Sequence, residues 1–108
     1  QKTSSRNQEK ISMNYKITEA AYCDLDDIWL YTFEKWSEDQ ANNYFESIIQ
    51  EIVLMSENPE KAKKMSKVKS NYFYFRALSH YVFFKYGDEK IEIIRVLHKM
   101  MDFSQHLE

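Results

Sequence analysis

Residues 72–97 read YFYFRALSHYVFFKYGDEKIEIIRVL, a stretch in which three short apolar segments are separated by turn residues. The segments fall at about 72–77, 80–86 and 90–97, and Gly87-Asp88 lies between the last two. β-Branched and aromatic side chains favour strands, and a glycine next to an aspartate is typical of a tight turn. The stretch therefore predicts an antiparallel meander of three strands.

The register of this meander assigns its side chains to two faces, because successive residues of a strand point to opposite sides. We expect Arg76 to pair with Tyr81, and Tyr86 to pair with Lys90 or Ile91. In the Ile91 register, the face that would pack under helices carries apolar residues: Phe73, Phe75, Val82, Phe84, Ile91, Ile93 and Leu97. The opposite face carries rings interrupted by charged groups: Tyr72, Tyr74, Arg76, Tyr81, Phe83, Lys85, Glu92, Ile94, Val96 and His98.

One strand and two helices are predicted before the meander. Residues 14–18 alternate like a short strand. One helix face is formed by residues at spacings of three and four, Leu25, Ile28, Thr32 and Trp36, which predicts a helix over 20–36 with Thr18 as its cap. Ser37 begins a capping box, which starts a second helix that ends before Pro59. Residues 60–70 are lysine-rich and are expected to form a loop or short helical turn. The fold class is α+β in the order β-α-α-β-β-β, with a helical hairpin packed on a twisted antiparallel sheet.

Composition excludes several classes of protein. The chain has 108 residues, 44% of them hydrophobic and 16% aromatic, which fits one folded domain. A single glycine excludes glycine-rich phosphate loops, and a single cysteine excludes an internal disulfide. No apolar run is long enough to cross a membrane, so a soluble cytoplasmic protein is expected. Residues 1–12 are interpreted as a polar extension or tag and 13–108 as the single domain, with Met13 where a start codon would fit.

The net charge of −2 conceals a division between the two halves of the chain. Residues 13–59 carry ten acidic and two basic side chains, whereas residues 60–100 carry four acidic and ten basic ones. Such asymmetry indicates a partner of opposite charge for one half. The alternative is that acidic helices pack on a basic sheet and cancel much of the field.

Short signatures along the chain occur in the order of a known family: Asp24-Leu25, Ile28, Tyr31-Thr32, Trp36, Gln40-Ala41, Tyr44, Asn58-Pro59, Ser79-His80, Arg95-Val96-Leu97-His98, Met101-Asp102 and His106-Leu107. Together they resemble the ParE branch of the RelE/ParE toxin superfamily, the toxin half of bacterial type II toxin–antitoxin pairs. The resemblance covers about residues 14–107, and its most specific part is Leu97-His98 followed by Met101-Asp102 and His106-Leu107. The chain departs from the family at Asn71 and Leu78, where glycines are usual. It also has Phe73 and Tyr74 where the family commonly has basic residues.

The resemblance implies a toxin that binds DNA gyrase, stalls it on cleaved DNA and is neutralised by a co-encoded antitoxin, without cofactor, metal or enzymatic turnover. Its implied target-binding residues are Arg76, His98, Lys99, Asp102 and His106. The first alternative is a ribosome-dependent mRNA interferase of the RelE type, in which Arg76 would hold the phosphate and His98 would act as an acid. The second alternative is a degenerate antitoxin-binding module without toxicity.

Two sets of exposed rings are predicted to bind the antitoxin: Tyr22, Trp29 and Phe33 on the helical hairpin, and Tyr72, Tyr74, Tyr81 and Phe83 on the open sheet face. A soluble monomer rarely leaves such an aromatic face bare. The alternative is that the C-terminal segment 99–107 or the N-terminal tail folds across the sheet. Arg95 is expected to point toward the helices and to pair with one of their carboxylates.

Overall fold

The computed structural model describes residues 14–65, 71–99 and 107. Within them the chain forms the elements β1 (Tyr15–Ile17), α1 (Glu19–Lys35), α2 (Glu38–Glu57), a 3₁₀ turn (Pro59–Lys61), β2 (Lys63–Lys64), β3 (Phe73–Ala77), β4 (His80–Tyr86) and β5 (Ile91–His98). The helical hairpin and the three-stranded meander are confirmed. The interpretation of residues 1–12 and the predicted roles of Asp102 and His106 concern residues outside those described.

Both helices begin at the predicted capping residues. The Thr18 side chain accepts a hydrogen bond from the backbone N–H of Ala21, and the Ser37 side chain accepts one from Gln40. Each cap satisfies a donor that the first helical turn cannot pair internally. The two helices therefore follow each other with almost no linker and pack side by side as a hairpin.

The sheet has the strand order β1-β5-β4-β3-β2 and is mixed, which corrects the expectation of a purely antiparallel sheet. β3, β4 and β5 pair antiparallel as predicted, but β1 lies parallel to β5, with Tyr15 opposite Ile91. A parallel neighbour requires a long crossover, which the helical hairpin supplies. β2 was expected to be loop or helical turn, and its two residues instead pair with the start of β3.

A β-bulge in β5 changes which side chains share a face. Arg76 pairs with Tyr81 and Tyr86 with Ile91 as expected, but Phe84 pairs with Ile93 and Phe83 with Arg95. Ile94 is therefore an extra residue in β5, and the side chains after it are displaced by one position. Val96 packs under the helices, Leu97 packs on the far side of the sheet, and His98 lies on the helix side, each contrary to the predicted face.

Apolar side chains form a core on each side of the sheet. The helix side holds a cluster built from α1, α2 and the sheet: Ala21, Leu25, Ile48, Ile52, Phe75, Ala77, Val82, Phe84, Ile91, Ile93 and Val96. The far side holds a smaller cluster of Tyr72, Phe83, Leu97 and Leu107. The second cluster corrects the expectation that Tyr72 and Phe83 are exposed on an open sheet face, since Phe83 is fully buried and Tyr72 is 8% exposed. Leu107 belongs to the C-terminal segment that was the alternative cover for this face.

Tyr74 and Tyr81 pack at the margin of the second cluster and remain partly exposed. Their rings meet edge to face at 5.7 Å. None of the helices within the described residues is long and apolar enough to cross a membrane.

Candidate functional site

A groove of about 720 Å³ opens between α1, the start of α2 and one end of the sheet. Two aspartates and two exposed aromatic residues of the helical hairpin line it on one side: Asp24, Asp27, Tyr31 and Trp36. Tyr44 lies at its floor, and His80, Val96 and His98 line it from the sheet. Trp36 had been expected on the inner face of α1 but is 70% exposed, because α1 ends one residue before it.

Arg76 and His98 do not converge. Arg76 pairs with Tyr81, whereas His98 pairs with His80 and lines the helix-side groove. The Nε of Arg76 donates instead to the carbonyl oxygen of Leu78 at 2.8 Å. The bulge at Ile94 separates the two residues, so the geometry assumed for them as a phosphate clamp and an acid on one face is wrong.

Tyr44, Ser79 and His80 form a hydrogen-bonded group at the floor of the groove. The Tyr44 hydroxyl accepts from the backbone N–H of Ser79 at 3.1 Å and lies 3.0 Å from Nδ1 of His80. The His80 and His98 rings meet edge to face with centroids 5.2 Å apart. Burial, and secondarily the proximity of His98, lowers the pKa of His80 to about 4, although Asp24 opposes the shift. His80 is therefore neutral at neutral pH.

Asp24 connects α1 to the bulged strand. Its carboxylate accepts from Nε of Arg95 at 2.7 Å, from Nη2 at 2.8 Å and from the backbone N–H of Val96 at 2.9 Å. The hydrogen bonds to Asp24 raise the pKa of Arg95. The predicted pairing of Arg95 with a helix carboxylate is confirmed, and the same carboxylate provides an acceptor for Val96 beyond the last β1–β5 pair, Ile17 with Ile93.

The β3–β4 turn and the end of β5 meet at one end of the sheet. Leu78 has a positive φ of 61°, a conformation that costs a branched side chain free energy and that glycine adopts readily. The backbone N–H of the exposed Lys99 donates to the carbonyl oxygen of Ser79 at 3.1 Å. Arg76, Leu78 and Lys99 are thus exposed at the same end, around the turn.

The hairpin rings predicted for antitoxin binding lie at or near the surface. Tyr22 is 52% exposed and Phe33 is 44% exposed. Trp29 is partly buried, stacks on Phe33 with centroids 5.2 Å apart, and donates its indole N–H to Asn42 at 2.9 Å. These contacts hold the Trp29–Phe33 pair rigidly on the outside of α1.

Sequence reasoning did not assign a role to several groove residues. Tyr44 and His80 are 36 positions apart and meet only because α2 packs across the β3–β4 turn. Asp27 carried no signal of a site, and Trp36 was one of the family signatures without an assigned role. No cluster of three or more His, Cys, Asp or Glu that could hold a metal occurs in the part of the chain that the structure describes.

Comparison of the sequence with known proteins finds members of the family that the sequence motifs resemble. The family model for the ParE toxin of the type II toxin–antitoxin system parDE matches residues 15–103. Toxin ParE1 of Caulobacter vibrioides is 34% identical over 93 residues, covering 86% of this chain and 96% of the relative. Toxin ParE1 of Mycobacterium tuberculosis is 31% identical over 98 residues, covering 90% of this chain and all of the relative.

Solved structures share the fold. A chain of the chromosomal ParDE toxin–antitoxin system from P. aeruginosa superposes with a TM-score of 0.71 at 19% identity, covering 80% of this chain and 95% of that one. A chain of the RelBE2 toxin–antitoxin complex from Mycobacterium tuberculosis gives a TM-score of 0.56 at 16% identity, covering 88% of this chain and all of that one. Both carry the α+β arrangement of two helices on a mixed sheet.

Proposed function

This chain belongs to the ParE toxin family of type II toxin–antitoxin systems, and from that premise we propose that it arrests growth by binding DNA gyrase and is neutralised by a co-encoded antitoxin. The observation that carries the proposal is the family match over residues 15–103 together with relatives named Toxin ParE1. The toxin acts by occupying gyrase while the DNA is cleaved, and it needs no chemical step of its own.

The separation of Arg76 and His98 supports binding over RNA cleavage. Cleavage at a 2′-hydroxyl needs a base, an acid and a cation around one phosphate, and each positioned proton-transfer group contributes about 10²–10⁴-fold. His98 instead lies in a groove with Asp24 and Asp27, whose negative charge disfavours a phosphate. Arg76 is turned to the other side of the sheet and holds the Leu78 carbonyl.

The gyrase-contacting surface is proposed to lie at the end of the sheet where β3 turns into β4 and β5 ends. Arg76 and Lys99 are exposed there, and His98 lines the adjoining groove. Asp102 and His106, which lie outside the described residues, are included in the proposed surface on the resemblance alone. Positive charge at this end suits a target that is itself bound to DNA.

The experiment combines a cellular assay with a reconstituted one. The chain is expressed from a tightly regulated promoter while a DNA-damage reporter and pulse-labelled protein synthesis are followed together. Purified protein is then added to gyrase in a supercoiling assay with relaxed plasmid. We expect the damage reporter to rise before translation falls, and supercoiling to be inhibited.

Variants connect the result to the proposed surface. Arg76→Glu and Lys99→Glu should weaken gyrase inhibition, whereas Lys16→Glu, an exposed reversal in β1, should not. An immediate loss of translation with ribosome-dependent cuts in messenger RNA would identify an interferase. Absence of any growth effect, with antitoxin binding intact, would identify a module that has lost toxicity.

A further inference from the structure

The groove contains a carboxylate that no basic side chain compensates within the described residues. Asp24 is bound by Arg95 and Val96, but Asp27, one helical turn further along, is exposed and has no ion-pair or hydrogen-bond partner in that part of the chain. His80 adds no positive charge at neutral pH, because its pKa is about 4. The groove is therefore negative on its α1 wall.

Two exposed aromatic side chains line the same groove as this carboxylate. Tyr31 follows Asp27 by four residues, so the two share one side of α1, and it is 61% exposed. Trp36 caps the helix and is 70% exposed. The Lys35 ammonium already lies 5.7 Å from the Tyr31 ring centroid, which shows that a ring at this wall accepts a cation.

Apolar side chains line part of the groove as well. Ile28 on α1 and Val96 on β5 face it, and both belong to or pack against the helix-side core. A groove that is lined by a free carboxylate, exposed aromatic rings and apolar side chains fits a long side chain with an aliphatic stem and a planar cationic head. Arginine matches this better than lysine, since its guanidinium stacks on rings and binds a carboxylate through two N–H groups.

We propose that this groove seats an arginine of the antitoxin, with its guanidinium against Asp27 and the Tyr31 and Trp36 rings and its stem over Ile28 and Val96. The negative charge of the helical hairpin favours a basic segment of the antitoxin, because residues 13–59 carry ten acidic and two basic side chains. The identity of the partner rests on the proposed function, whereas the chemistry of the side chain rests on the groove alone.

The first test isolates that chemistry. The two tryptophans of the chain give two indole N–H signals in a ¹⁵N-correlated NMR spectrum, one from Trp36 in the groove and one from Trp29 on the outer face. Nα-acetyl-arginine amide is titrated, with Nα-acetyl-citrulline amide as the neutral isostere; a ligand of this size should bind with a Kd on the order of millimolar. We expect arginine, but not citrulline, to shift the Trp36 signal, and Asp27→Asn to abolish the shift. Equal shifts from both ligands, or none, would overturn the proposal.

The second test uses the full-length protein encoded beside the toxin gene as the probe. Asp27→Asn should weaken its binding to the full toxin chain tenfold or more and reduce the dependence of Kd on salt. Asp26→Asn is the matched control, because Asp26 is the adjacent exposed aspartate and lines the separate pocket beside Trp29. Its Kd should stay within twofold of the wild type.

The outcomes of the second test separate the two proposals. If the neighbouring protein does not bind even the wild-type chain, the proposed function fails while the arginine titration still decides the chemistry of the groove. If it binds both aspartate variants with wild-type affinity, the antitoxin bypasses the groove and the arginine proposal alone is wrong. Equal weakening by both variants would show a diffuse charge effect and would also refute a seat at Asp27.

Discussion

Removing the Asp24 carboxylate should destabilise the protein more than removing any other acidic side chain of α1. Asp24 is 12% exposed and Arg95 24% exposed, and the carboxylate accepts three hydrogen bonds. Breaking a buried ion pair on one side costs about 3–5 kcal/mol. Water can partly solvate the orphaned guanidinium, so we expect about 2–3 kcal/mol for Asp24→Asn, including the weakened bond to Val96.

Urea unfolding followed by far-UV circular dichroism measures this loss. With a slope of about 1–1.5 kcal/mol per molar urea for a small domain, the midpoint should fall by about 1.5–3 M. Asp26→Asn, an exposed neighbour on the same helix, should change the free energy of unfolding by less than about 0.5 kcal/mol. A double-mutant cycle with Arg95→Met should give a coupling of at least about 1 kcal/mol.

The reasoning would be refuted if Asp24→Asn were no more destabilising than Asp26→Asn. A large loss with negligible coupling to Arg95 would instead assign the stabilisation to the backbone bond with Val96. Amide hydrogen exchange distinguishes these cases, because the Val96 N–H should lose protection in Asp24→Ala but retain part of it in Arg95→Met.

Three further changes test other features of the structure. Leu78→Gly should raise the free energy of unfolding by about 0.5–1 kcal/mol, since it removes a left-handed leucine at a half-exposed turn; an unchanged or lower value in chemical denaturation would contradict the positive φ. In the wild type, stability should fall by about 1–2 kcal/mol as pH drops from 6.5 toward 4, because the unfolded imidazole of His80 takes up a proton that the folded one excludes, with the magnitude reduced for partial exposure. His80→Gln should flatten that pH dependence, and an equally steep curve would assign it to other groups. Phe83→Ala should cost about 3–5 kcal/mol and Leu107→Ala about 2–3, whereas Tyr86→Ala, at a half-exposed ring, should cost clearly less; similar losses in thermal melting would mean that the far-side cluster is not a core.

Local signals were sufficient for both helices and for every strand except β2. Thr18 and Ser37 cap their helices because each side-chain oxygen accepts a hydrogen bond from the unpaired backbone N–H three residues later. This contact does not depend on the rest of the chain. Likewise, the pairs Arg76 with Tyr81 and Tyr86 with Ile91 follow from short connections that leave the strands little choice of register.

The bulge could not be read with the same certainty, although a trace of it is present. The helix-facing residues of β5 are Ile91, Ile93 and Val96, so their spacing changes from two to three at Ile94. Because this sheet has a core on each side, apolar residues occur on both faces of β5. A continuous apolar run therefore hides the one-residue shift that the bulge introduces. Every error about the end of β5, including the position of His98, follows from this single extra residue.

The groove was beyond sequence reasoning for a different reason. Its parts come from α1, the start of α2, the β3–β4 turn and β5, and only their packing brings Asp27, Tyr44 and His98 together. Helical spacing placed Trp36 on the buried face, but it could not show that α1 ends before the indole reaches the sheet. A shift of one residue in a helix boundary is enough to remove the last side chain from the face that the periodicity predicts.

Folding leaves the charge asymmetry largely in place, which favours a partner over internal cancellation. Asp24 and Arg95 join the acidic and basic halves through a side-chain ion pair. Asp27 nevertheless remains exposed on the helical hairpin, while Lys63, Lys64 and Lys99 are exposed at the far edge and at the end of the sheet. Opposite charges on different surfaces can serve different partners, because each repels what the other attracts. An antitoxin held at the acidic groove would lie next to the basic end of the sheet, because Ser79, His80 and His98 line the groove, and it would therefore block a DNA-bound target that meets that end.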